Sequence, residues 1–205
     1  MLPDEISDDE WMRRRVLLAA EGYAELGLWQ FAWEELQSLP PKDQARPEVR
    51  EASLALLIKQ ERWQEAITLG RELCRQCPDL PAAFIHTAFC QHELGQTMEA
   101  LKTLRSGPHS LQQDGLYHYN CACYLAVLGY ANEARDLLRA AFALDESLQE
   151  NARTDPDLQS LRRWFLATKD AHGLYEHSGF GLLSNPDRHM EYRNLKVFDG
   201  EWLVE

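Results

Sequence analysis

Four alanines stand 34 residues apart, at Ala32, Ala66, Ala100 and Ala134. Five residues before each lies Gly27, Glu61, Gly95 or Gly129, and Trp29 and Trp63 each precede their alanine by three. A frame that survives three shifts without an insertion is a structural repeat. Each period carries two apolar runs at three- and four-residue spacing, one on either side of the glycine position, which is the pattern of two helices joined by a turn. The last period shows it most fully, in YHYNCACYLAVLGYANEARDLLRAAFAL at residues 117–144. A chain built this way stacks hairpins of helices and buries its apolar faces between neighbours.

In chain order, residues 1–12 are an acidic segment leading into the first helix. Val16, Ala19, Ala20, Tyr23 and Leu26 then form one helical face that ends at Gly27. The return helix runs to Leu39 and is stopped by Pro40 and Pro41, which donate no backbone hydrogen bond. Pro47 and Pro81 suit the first position of a helix, and so open the next two units. Gly107 and Pro108 shorten the second helix of the third unit. The units are residues 13–46, 47–80, 81–114 and 115–148. A capping helix is expected over 149–168, with Asp155 as N-cap and Pro156 at the first position. Residues 169–205 are rich in glycine breaks and read as an irregular tail, with a short hairpin over 195–204 turning at Asp199–Gly200.

At these positions the chain resembles the tetratricopeptide repeat. The units of that family place a small residue where the first helix crosses its partner, here Ala20, Leu54, Ala88 and Ala122. A turn glycine, an aromatic two residues later and an alanine three after that follow. The second unit departs most, with Leu54 and Glu61 in place of the small residue and the glycine. The later small residue of the second helix falls at Leu39, Leu73, Gly107 and Ala141, and the terminal proline survives only as Pro78. The resemblance implies an all-α, right-handed α-solenoid of helix–turn–helix repeats with a C-terminal capping helix and an irregular tail.

Charge narrows the partners. The net charge of −12 opposes nucleic acid and anionic membrane surfaces, both of which need clustered Lys and Arg. The N-terminal residues lack the basic start and apolar run of a signal peptide, and no stretch reaches the length of a membrane span, so a cytoplasmic location is expected. Five cysteines make an odd number. Cys74 and Cys77 close a helix rather than opening one, and Cys90, Cys121 and Cys123 fit as small apolar fillers of helix interfaces. The histidines form no HExxH motif; His86 and His92 are six apart and do not share a helical face. His172, Glu176 and His177, which lie together and could invite a metal, read as a solvated polar stretch. No catalytic residue, metal site or cofactor is expected, and the chain reads as no enzyme.

The resemblance implies an inner groove lined by the first helix of each unit, through its second, fifth, sixth, ninth, twelfth and thirteenth residues. The fifth and ninth places hold Leu17 and Glu21, Glu51 and Ala55, Ile85 and Phe89, Tyr119 and Cys123. Family members that grip acidic chaperone tails carry lysine and asparagine there, so a carboxylate-clamp partner is excluded. The first helices of the third and fourth units are apolar nearly all round, and Ala82, Ile85, Phe89, Leu116, Tyr119 and Cys123 need a cover. Three covers stay open: the chain's own tail, a partner segment, or self-association. The leading reading is an adaptor or scaffold that binds a peptide or helical segment in this groove. The alternatives are shielding of a client's hydrophobic segment and a metal-dependent regulator.

Overall fold

The computed structural model describes residues 7–167, 180–182 and 189–193. Helix α1 (Asp8–Glu25) starts where the Ser7 hydroxyl accepts the Glu10 N–H at 3.3 Å, with Asp8, Asp9 and Glu10 in the first turn facing the positive end of the helix. The acidic residues before position 12 therefore belong partly to the helix itself. Then come α2 (Trp29–Ser38), the short α3 (Pro41–Gln44), α4 (Pro47–Lys59), α5 (Trp63–Gln76), α6 (Pro81–Glu93) and α7 (Thr97–Arg105). After a 3-10 turn at His109–Gln113 follow α8 (Gly115–Val127), α9 (Ala131–Leu144), α10 (Leu148–Thr154), a second 3-10 turn at Pro156–Leu158 and α11 (Gln159–Arg162). The chain divides into two compact units, Met1–His109 and Ser110–Glu205.

One turn is used four times. At Gly27, Glu61, Gly95 and Gly129 the backbone enters the left-handed region, with φ of 72°, 56°, 73° and 87°. The next residue in each case, Leu28, Arg62, Gln96 or Tyr130, donates its N–H to the carbonyl five back at 2.8–2.9 Å, on Tyr23, Leu57, Gln91 and Leu125. The left-handed residue itself donates three back, to Ala24, Ile58, His92 and Ala126. This is the Schellman closure, which satisfies the last carbonyls of a helix and reverses the chain. The same Leu28, Arg62, Gln96 and Tyr130 then offer their carbonyls to Ala32, Ala66, Ala100 and Ala134, starting the return helix. All four of those alanines are fully buried.

In the first unit the hairpins α1/α2, α4/α5 and α6/α7 follow one another, and apolar clusters fill the layers between repeats. Val16, Ala20, Leu36, Val49 and Leu56 belong to one, and Leu54, Ile67, Leu73, Ala83 and Cys90 to the next. At Gly70 the α5 backbone comes so near α6 that an added Cβ would lie 2.1 Å from the Thr87 hydroxyl. The proline-bounded segment between the first two repeats forms α3 instead of a plain loop. Asp43, buried, accepts from Arg13 of α1 at 3.1 Å and from Arg46 at 3.1 Å, which ties α3 to the hairpins on either side.

In the second unit α8 and α9 form the fourth hairpin, and α10, the 3-10 turn and α11 pack on it through the buried Leu148, Ala152, Leu158 and Leu161. The capping helix expected over 149–168 is thus three short pieces. Asp155 and Pro156 break it: Asp155 leaves helical backbone, and its side chain accepts the Asp157 N–H. Residues 163–167 leave helix altogether. β1 (Arg163–Ala167) pairs antiparallel with β3 (His189–Arg193), which pairs antiparallel with β2 (Phe180–Leu182), giving the order β1-β3-β2. Part of the expected irregular tail is therefore strand. The hairpin expected over 195–204 lies outside the described residues.

Candidate functional site

α1, α4 and α6 bring their inner faces together around a pocket of about 340 Å³ in the first unit. α1 supplies Leu17, Ala20, Glu21 and Ala24, which recur at helical spacing on one face. α4, whose start is fixed by Pro47 at its first position, supplies Glu48, Glu51, Ala52, Ala55, Leu56 and Lys59. α6 adds His86. The floor is alanine and leucine, and the rim is mostly acidic. Glu48 is held by Arg13 at 3.0 Å and Lys59 by Glu25 at 3.1 Å. Among the described residues, Glu21 and Glu51 have no ion-pair partner.

His86 lies at the α6 edge of the pocket. Burial holds its imidazole below the usual histidine range, while the nearby Glu51 carboxylate pulls the other way. Its Nδ1 is buried and has no hydrogen-bond partner among the described residues. The residue is the sixth of its unit, one of the lining positions that the family resemblance implies; its spacing from His92 gives no sign of that role.

Of the groove residues expected from the sequence, Leu17, Glu21, Glu51 and Ala55 surround this pocket. Ile85 and Phe89 do not line it. Phe89 is partly exposed and meets Trp63 edge-on, with ring centroids 5.8 Å apart. Tyr119 and Cys123, in the second unit, are not open to a partner at all: they are 6% and 3% exposed. The Tyr119 hydroxyl donates to Asp155 Oδ2 at 2.7 Å, and the Cys123 thiol donates to the same oxygen at 3.6 Å. Their cover is the chain's own break between α10 and α11, which is none of the three covers expected: the tail of residues 169–205, a partner segment or a second copy. The apolar tail residues expected over the groove have side chains outside the described residues.

Cys123, Asp155 and Asp157 offer ligand atoms within 4.8 Å of one another, the one such group among the described residues. Asp155 already accepts from Tyr119, Cys123 and the Asp157 N–H, so it serves as the hub of an internal hydrogen-bond network. Burial and the adjacent carboxylate push both the Cys123 thiol and the Tyr119 phenol far up, favouring their protonated, donating forms. Two further cysteines are poorly suited to nucleophilic work: burial raises the Cys74 thiol and pushes Cys90 up to about 12. No helix among the described residues is long and apolar enough to cross a membrane.

No family model matches the chain, and no curated protein matches it. Solved structures do. MamA from Desulfovibrio magneticus RS-1, residues 41 to the end, aligns at TM-score 0.60 and 15% identity over 73% of this chain and 82% of that one. A thermophilic TPR protein of Thermus thermophilus, TTC0263, aligns at TM-score 0.58 and 16% identity over 73% of this chain and 86% of its own. MamA of strain AMB-1 covers 83% of this chain at TM-score 0.55 and 15% identity, with 82% of its own length aligned. Identities this low speak to the fold alone, which is built of helix–turn–helix repeats.

Proposed function

Because the chain has the tetratricopeptide-repeat fold, we propose that it is a non-enzymatic protein-interaction module, binding a segment of another protein in the first unit's groove. The observation that carries this reading is the pocket between α1, α4 and α6, with its apolar floor and two acids lacking ion partners among the described residues. The floor suits one or two aliphatic or aromatic side chains, the usual anchors of a helix or extended segment laid in a groove. Glu21 and Glu51 suit a Lys or Arg beside the anchor, in keeping with the net charge of −12. The contact set is Leu17, Glu21, Glu51, Ala55 and His86, with Ile85 and Phe89 on the same helix as His86 and Tyr119 and Cys123 left out.

A displayed library of random peptides tests it. Enrichment of sequences pairing an apolar anchor with Lys or Arg is expected, with binding weakened about tenfold or more in the double variant Glu21→Lys, Glu51→Lys. Enrichment of acidic C-terminal peptides, or binding untouched by the two substitutions, would overturn the groove as the site.

A further inference from the structure

The repeat register identifies a second surface, distinct from the pocket. On α1 and the residue that caps it, Trp11, Arg15, Leu18, Gly22 and Leu26 follow one another at four, three, four and four, a single helical stripe. It is open: Trp11 is 58% exposed, Leu18 71% and Leu26 74%. Shifted by 34, the centre of this stripe becomes Val49, Ala52 and Leu56 of α4. Val49 and Leu56 are buried, and all three pack in the cluster formed with α1 and α2. Shifted again it becomes Ala83, His86 and Cys90 of α6, where Ala83 and Cys90 are fully buried in the next cluster. In this architecture the stripe is the surface by which a repeat docks on the hairpin before it. In the first repeat that surface carries Trp and Leu and is open in the structure.

We infer that the stripe is covered by the same stripe of a second copy, in an antiparallel two-fold dimer of α1 helices. Two observations select that occupant. The counterpart surface on the last hairpin, α8 and α9, is already taken by the chain's own α10 and α11, so head-to-tail stacking has no open acceptor there. The charges along α1 also complement their own reversal. Arg14 and Arg15 lie toward the start, after Asp8, Asp9 and Glu10 of the first turn, and Glu21 and Glu25 toward the end. Glu10 holds Arg14 at 2.6 Å and Lys59 holds Glu25 at 3.1 Å, so Arg15 and Glu21 are left without an ion partner among the described residues. An antiparallel pair centred on Leu18 sets Arg15 of each copy beside Glu21 of the other, whereas a parallel pair aligns like charges. Gly22 fits the same arrangement. It sits mid-helix, where glycine is unfavourable, and a Cβ there would meet nothing within 4 Å among the described residues, so the backbone on that face is open to a close approach.

Sedimentation of the full chain over roughly 1–100 µM is the first measurement, in a range where a specific dimer is populated. A concentration-dependent dimer is expected, weakened about tenfold or more by Leu18→Glu with the circular dichroism unchanged, and unaffected by Glu51→Lys in the pocket. The geometry is read by oxidation with Cys74 and Cys77 replaced by serine. Leu18→Cys lies near the axis and forms an intermolecular disulfide with its own mate. Leu26→Cys lies eight residues away, so its mate is about 24 Å off and it crosslinks only to a copy carrying Trp11→Cys. A monomer throughout the range, a dimer indifferent to Leu18→Glu, or efficient self-crosslinking of Leu26→Cys would each overturn the inference. Failure of peptide binding would leave it standing, since Trp11, Leu18 and Leu26 do not line the pocket, Glu21 being the residue common to both surfaces.

Discussion

Glu61 is the one described residue other than glycine with positive φ, and it holds a turn that glycine holds in the other three repeats. A side chain in left-handed backbone crowds the following carbonyl, at roughly 1–2 kcal/mol. Glu61→Gly is therefore expected to stabilise the protein by about 1 kcal/mol, read as a higher denaturant midpoint at unchanged slope. At His86 the sign follows from linkage. Burial places the folded pKa below the unfolded value of 6.5, so as pH falls through 6.5 the unfolded chain takes up a proton that the folded chain resists. Stability is fully present above pH 6.5 and declines below it, until the folded pKa is reached. His86→Asn removes that part of the decline, so the two proteins' melting temperatures, followed from neutral to mildly acid pH, should fall with different slopes.

Between elements the contacts are close and specific. An alanine at position 70 puts a methyl 2.1 Å from the Thr87 hydroxyl, which itself donates to the Ala83 carbonyl at 2.6 Å. Gly70→Ala should cost roughly 1–3 kcal/mol despite better helix propensity, and Thr87→Ala in the same chain should restore most of it; chemical denaturation of the three variants checks both. Tyr119→Phe should cost about 1–2 kcal/mol by leaving Asp155 short of its charged hydrogen bond, a loss visible in thermal unfolding. These elements also show what a sequence reveals. The hairpins are legible because both helices and their turn repeat in one register, so each glycine and alanine position is visible several times. The cap is legible only in outline: Asp155 and Pro156 carry the signature of a helix start, and the same two residues mark the break before it. The cover over Tyr119 is not legible, because an apolar face suggests an apolar lid. What closes it is a carboxylate 36 residues away, brought there by folding alone. The strand at Arg163–Ala167 is hidden in the same way, since its partner β3 begins only at His189.

For the molecule as a whole, 33 acidic residues against 21 Lys and Arg give a field that draws cations from a distance. Binding of a Lys- or Arg-bearing peptide should therefore slow with added salt mainly through its association rate, leaving dissociation less affected; stopped-flow traces at several ionic strengths separate the two. The knot of Tyr119, Cys123 and Asp155 also sets a limit on length. Coiling the chain past Leu144 into a further hairpin would require dismantling that knot, whereas nothing comparable among the described residues seals α1. Insertion of an extra 34-residue module between Leu144 and Leu148 is therefore expected to cost more stability than one placed before Asp8, read as a lower melting temperature.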